Sequence, residues 1–122
     1  MHRFILLLIT YLITLFSAWG SNVHYSFTQL SLEEGLSQAS VQSILLDSRG
    51  DLWIGTKNGL NLYAQQKMTN YFHTLEDRYS IPNNHILHLA EDSLGNIWIS
   101  TPQGLASYNR ERNAFDTFTR AR

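Results

Sequence analysis

Few side chains in this sequence are placed to do chemistry, and spacing decides which of them matter. His85 and His88 stand three apart on an expected strand. Residues at that spacing point to opposite faces, so the two imidazoles do not converge on one metal ion. The acidic pairs Glu33-Glu34 and Glu91-Asp92 come without a partner that would complete acid/base catalysis, and both read as solvated groups. Asp47 and Asp92 lack the order of acidic residues that an EF-hand needs, and read as turn formers. The serines have no Gly-x-Ser-x-Gly elbow around them. Trp53 and Trp98 could offer a flat face to a sugar, but each sits inside an apolar triplet and reads as packing. Tyr79, Asn83, Asn84 and His85 remain. They combine an aromatic face with amide and imidazole groups, which suits a ligand rich in hydroxyls, and they are the candidate ligand-binding residues. No catalytic residue, no metal site and no cofactor is expected.

Those four residues lie between two segments of one pattern. Val41–Tyr63 (VQSILLDSRGDLWIGTKNGLNLY) and Ile86–Tyr108 (ILHLAEDSLGNIWISTPQGLASY) superpose without a gap at an offset of 45 residues, with nine of 23 positions identical. Asp47, Gly50, Trp53, Thr56, Gly59 and Tyr63 fall on Asp92, Gly95, Trp98, Thr101, Gly104 and Tyr108. A fixed period in this range marks solenoids, propellers and arrays. Upstream, Phe27, Leu30 and Leu36 match Phe72, Leu75 and Ile81; downstream, after a two-residue insertion, Met68 and Tyr71 match Phe115 and Phe118.

Each repeat reads as strand and tight turn. Val41–Leu46, Asp51–Thr56, Gly59–Tyr63 and Met68–His73 are strand-like, as are Ile86–Ala90, Asn96–Thr101, Gly104–Tyr108 and Phe115–Thr119. Asn58-Gly59 is a strong hairpin signal. Leu52-Trp53-Ile54 is apolar at consecutive positions, so both faces of that strand must be covered. A sheet stacked between copies of itself meets the requirement. The expected fold is therefore all-β: two four-stranded antiparallel β-propeller blades at about 36–73 and 81–119, with 25–30 as a strand of an adjacent or closing blade, forming an incomplete propeller. The repeated Asp, Gly, Trp, Thr and Tyr are assigned to building blades.

The formal net charge of −1 and a charged fraction of 16% give no bulk attraction to nucleic acid. Arg110, Arg112, Arg120 and Arg122 read as a wet strand face. With no cysteine there is neither a disulfide framework nor a thiolate metal site. The first residues speak about compartment. A basic start at Met1–Arg3, the uncharged run Phe4–Phe16 and the small residues of Ala18-Trp19-Gly20 have the layout of a secretory signal peptide over 1–20. The run is shorter than the roughly 20 residues of a membrane span. An uncleaved anchor is the alternative, and in either case residues 21–122 are expected to be exported.

The segments DSRGDLWIGTKNGLNLY and DSLGNIWISTPQGLASY closely resemble the two-component regulator propeller repeat, and FTQLSLEEGLSQASVQSI resembles the start of the first blade in such sensors. The resemblance covers about 27 to 119, with Ser100 standing where the first copy has Gly55 and Pro102 where it has Lys57. It implies the periplasmic, ligand-binding part of an inner-membrane receptor whose output is a histidine kinase, a hybrid two-component kinase or a diguanylate cyclase. In the better-known members of the family the ligands are oligosaccharides. The implied partners are a small-molecule or oligosaccharide ligand, further blades, downstream signalling domains and a second receptor in a dimer. Any kinase or cyclase activity would lie in the downstream domains. Closing a propeller takes about four blades or more, so the sequence is expected to be the N-terminal piece of a longer receptor. A short chain that closes by oligomerising is the alternative. The competing functions are a secreted propeller enzyme (a polysaccharide lyase or quinone-dependent dehydrogenase), which would need convergent ionisable residues on one loop face, and a plain secreted interaction module.

Overall fold

The computed structural model of the chain describes residues 2–17 and 20–119. Ala18 and Trp19 of the expected cleavage site, and Arg120 and Arg122 of the basic C-terminal group, lie outside the described residues. The apolar run near the start forms helix α1, His2–Ser17. No helix among the described residues is long and apolar enough to cross a membrane.

Residues 20–30 have no regular structure, with Tyr25 and Phe27 79% and 94% exposed. Residues 25–30, expected as a strand of an adjacent or closing blade, have no strand partner among the described residues. A strand exists through the partner it bonds, and this segment pairs with neither sheet.

From Val41 onward the chain is two antiparallel meanders. β1 (Val41–Leu46), β2 (Leu52–Thr56), β3 (Gly59–Ala64) and β4 (Lys67–Tyr71) form one sheet in chain order. β5 (His88–Glu91), β6 (Ile97–Thr101), β7 (Gly104–Asn109) and β8 (Ala114–Phe118) form the second. β5 starts two residues later than expected because the backbone before it is used elsewhere. The Ile86 amide donates to the Thr56 carbonyl of the first sheet at 3.0 Å, while the Leu87 amide already donates to the Ser100 carbonyl of β6 at 2.9 Å. His85 consequently lies in a loop, while His88 opens the strand.

The repeated residues build the same turns twice. The Asp47 carboxylate accepts the amides of Arg49 and Asp51, both at 2.9 Å, and the Trp53 indole N–H at 3.0 Å. Asp92 accepts from Leu94, Asn96 and Trp98 at the same distances. The following glycines, Gly50 and Gly95, take φ of 87° and 83°, which a side chain would oppose. At the other end of each β-hairpin a threonine closes the turn: the Thr56 and Thr101 hydroxyls donate to the carbonyls of Gly59 and Gly104 at 2.9 Å. The Asp thus ties a turn to the tryptophan of the next strand, and the Thr ties that strand to the one after.

The sheets stack face to face. Leu45, Trp53 and Leu62 are in register on one face of the first sheet, alongside Gly55, Leu60 and Tyr71. Against it lie Ile97, Ile99, Ala106 and Phe115 of the second sheet, with Ile81 and Ile86 from the connecting segment, all sealed from solvent. Trp53 meets Tyr108 edge-on at 4.9 Å between centroids, a pairing worth about 0.5–1.5 kcal/mol beyond area burial. The stack is close enough that a Cβ on Gly55 would lie 2.4 Å from Ile86 Cγ2. On the opposite face of the first sheet, Leu36 is buried, and the Ser37 amide and hydroxyl bond the fully buried Asn61 side chain.

Candidate functional site

The stacked sheets present two ends. One carries the β2–β3 turn (Lys57-Asn58), the β6–β7 turn (Pro102-Gln103) and the β4–β5 connector, 72–87. Hydrogen bonds gather them: the Gly59 amide donates to the Asn84 carbonyl at 2.7 Å, and the Asn83 side-chain amide bonds the Gln103 side-chain carbonyl. Segment 37–40 joins the same end, with the Lys57 amide on the Ser40 carbonyl at 3.1 Å. Lys57, Asn58 and Gln103 are exposed there, and Asn83 and His85 are half-buried.

The structure divides the four expected ligand residues. Asn84 is used by the scaffold: its side-chain oxygen accepts the His73 amide at 2.6 Å while its carbonyl holds Gly59. Asn83 accepts the His85 amide at 2.8 Å and reaches Gln103, so Asn83 and His85 form one polar rim. Tyr79 is elsewhere. Its carbonyl accepts the amide of Phe115 on β8, the outermost strand of the second sheet, at 2.8 Å. The residue is 37% exposed, and its ring centre lies 4.8 Å from the Arg78 guanidinium carbon and 4.9 Å from that of Arg112. Arg112 is itself paired with Asp116 at 2.7 Å. Among the described residues, no hydrogen bond links Tyr79 to Asn83, Asn84 or His85.

The opposite end holds interactions that the sequence pattern did not announce. Arg110, on the β7–β8 turn, reaches Asp47 of the first sheet at 3.0 Å and Asp51 at 3.9 Å. Burial pushes the Asp47 carboxyl up, but the Trp53 indole, the Asp51 amide, the Arg110 guanidinium and the Arg49 amide outweigh it and hold the group below its usual value. Glu91, expected to be solvated, accepts the Ser48 amide at 3.0 Å and the Ser48 hydroxyl at 2.9 Å. Tyr71 and Tyr108, one from each sheet, both donate to Asn113 Oδ1, at 2.7 and 2.9 Å. Burial and the adjoining Tyr108 hydroxyl raise the Tyr71 phenol well above its ordinary range. This end is therefore a latch between the sheets. Beside it is an open concavity of about 580 Å³ lined by Ser48, Arg49, Asn96, Arg110 and Glu111 among others. Among the described residues, no group of three or more His, Asp or Glu side chains is arranged to hold a metal ion.

Two repeats of one meander, stacked face to face, match a known family. The two-component regulator propeller model fits residues 35–58 and 80–103, one match in each repeat. Each of the two blades thus carries a two-component regulator propeller repeat. The chain's sheets are propeller blades, and the β2–β3 turns and connector form a loop end of the kind on which propellers carry variable residues. The extracellular domain of a hybrid two-component system from B. thetaiotaomicron is 33% identical with a TM-score of 0.67, over 75% of this chain and 13% of that one. A second such domain from the same organism, 22% identical with a TM-score of 0.59, covers 76% of this chain and 13% of its own, and shares the fold. Histidine kinase P4 of Formosa agariphila is 40% identical over 79 residues, which are 64% of this chain and 6% of the kinase. The chain therefore spans a small part of the length of each relative it matches.

Proposed function

We propose that this chain forms part of the ligand-sensing propeller of a two-component receptor, outside the cytoplasmic membrane, and that it is itself non-catalytic. The observation that supports this most is the pair of stacked blades, matched over 75% of the chain by an extracellular domain of a hybrid two-component system. Residues 1–20 would direct export to the periplasm. Lys57, Asn83, His85 and Gln103 at the loop end would contact a small molecule or oligosaccharide, with Tyr79 as a separate aromatic surface on the rim of the second blade. Ligand binding or dimerisation would then bias an output domain elsewhere in the receptor. The match to a histidine kinase favours a kinase as that output over a diguanylate cyclase.

Two experiments test the reading. Fusing residues 1–122 to a reporter active only outside the cytoplasm is expected to give activity, and deleting residues 2–17 to abolish it; an inactive fusion would remove the export claim. In the complete receptor, Asn83→Ala and His85→Ala are expected to weaken both ligand affinity and signalling while expression is unchanged. Asn84→Ala should instead lower the amount of folded receptor. If the Asn83 and His85 variants signal normally with unaltered affinity, the loop end is not the ligand site.

A further inference from the structure

The outward face of the second blade carries Trp98, Ser100, Leu105 and Phe118, the positions that in the first blade are Trp53, Gly55, Leu60 and Tyr71. In the first blade this face is sealed by the next repeat, and Leu60 is fully buried; in the second, Leu105 and Phe118 are 41% and 53% exposed. The first joint is thus a template for what covers the open face: another four-stranded repeat of the same kind. This step rests on the propeller reading above.

The template also shows where the second joint has to differ. At the first joint Ile86 packs over the bare backbone of Gly55, and a Cβ there would fall 2.4 Å from Ile86 Cγ2 and 2.9 Å from its Cβ. Real Cβ atoms do not approach so closely, so the first joint excludes every residue but glycine at that position unless the blades move apart. The second blade nevertheless has Ser100 there. Its Oγ is shielded from solvent and has no hydrogen-bond partner among the described residues. A shielded hydroxyl without a partner is costly, which favours an occupant that brings a polar group within reach.

We propose that Ser100 is the residue that selects the repeat docking on the second blade: it rejects a repeat with a branched apolar residue at the position of Ile86 and accepts one with glycine, or alanine at slightly wider spacing. A small residue there lets the incoming backbone approach and supply the hydrogen bond that Ser100 Oγ lacks. The second joint is therefore chemically distinct from the first, and an incoming repeat of the Ile86 type is confined to the Gly55 face. Such selectivity by steric exclusion adds to the differences the two faces already carry, where Leu45, Leu62 and Tyr71 of the first correspond in the motif to Ala90, Ser107 and Phe118 of the second, and so helps to fix blade order.

The test extends the chain from Thr119. Since Phe118 matches Tyr71, a copy of residues 73–119 joined directly after Thr119 continues the repeat in register. The chain has no cysteine, so Leu105→Cys gives a single thiol on the face to be covered. Thiol labelling is then compared for appended copies carrying Ile, Ala or Gly at the Ile86 position, and for the Ile copy on a Ser100→Gly chain. The Gly or Ala copy should slow labelling about tenfold or more relative to the Ile copy, and Ser100→Gly should restore protection by the Ile copy. Equal or better protection by the Ile copy on the Ser100 chain overturns the selection by Ser100 while leaving blade docking in place. If no copy slows labelling on either chain, the docking of a further blade on this face fails, and the inference fails with it.

Discussion

Trp53 and Trp98 occupy the same place in the same motif, and each indole donates to its turn aspartate at 3.0 Å. Trp53 is completely buried, whereas Trp98 is only partly covered and packs against Phe118 at 5.6 Å between centroids. The bond between aspartate and tryptophan within a blade therefore forms whether or not the outward face is covered, and the burial that stabilises the blade comes from the next one. Repeat arrays divide their stability in this way, into intrinsic and interface terms. The sharpest break of the comparison is to remove each indole in turn. Trp53→Ala should destabilise the chain by about 3–5 kcal/mol, measured by urea unfolding, because it empties a sealed site between blades. Trp98→Ala should cost less than half of that. Equal losses would mean that the interface contributes little and the within-blade bond to aspartate contributes most.

A smaller effect probes the close approach of the blades. Gly55→Ala forces a Cβ into Ile86 and should cost about 1–3 kcal/mol, with Gly55→Ala/Ile86→Ala recovering part of the loss. Ser100→Ala at the matching position should be neutral or slightly stabilising in the same assay, since it removes a hydroxyl that has no partner. A loss at Ser100 as large as that at Gly55 would show the second face to be occupied.

The latch differs between the blades as well. In the first, Asp47 and Asp51 share Arg110 from the neighbouring blade. In the second, Asn96 stands in the place of Asp51, and its side-chain amide donates to Asp92 at 2.9 Å. One neutral amide within the blade thus does for Asp92 what a guanidinium from outside does for Asp47. Arg110→Ala should destabilise by about 1–2 kcal/mol, because Asp47 retains its amide and indole donors. Asn96→Asp should also destabilise, by placing a second carboxylate beside Asp92 with no cation to share. That variant losing nothing would show that the amide is not needed.

Much of this was legible in the sequence for a simple reason: the elements are made by residues acting over short range. Asp47, Gly50, Trp53, Thr56 and Gly59 bond or turn within a dozen residues, so a repeated spelling is enough to place strands, turns and the buried face. The exceptions involve neighbours distant in the chain. The Ile86 amide goes to Thr56, which delays β5, and residues 25–30 find no pairing partner. Asn84 reads as a ligand group because amides suit sugars, but its side-chain oxygen accepts the His73 amide, 11 positions earlier in the chain, and its carbonyl holds Gly59, 25 positions earlier. Arg110 and Asp47 lie 63 residues apart, and no local pattern pairs them. Only the exchange of Asp51 for Asn96 hinted that the two turns are neutralised differently.

The smallest expected effect is the acid limb of stability, and it separates the two aspartates. Hydrogen bonds from the Trp98 indole, the Asn96 side chain and the Asn96 amide lower Asp92 from 3.8 to about 2. A carboxyl whose folded value is depressed contributes its full stabilisation above the unfolded value and loses it as the pH falls through the folded one. The difference in unfolding midpoint between the natural chain and Asp92→Asn should therefore be constant above about pH 4 and shrink toward pH 2. Asp47 is also held low, but in part by Arg110. Its contribution should fade at higher pH once Arg110→Ala raises the carboxyl toward its free value, whereas the fading of the Asp92 contribution should be untouched by that substitution. If Arg110→Ala shifts both, the two turns are coupled through the blade joint, and each carboxylate depends on the stack as a whole.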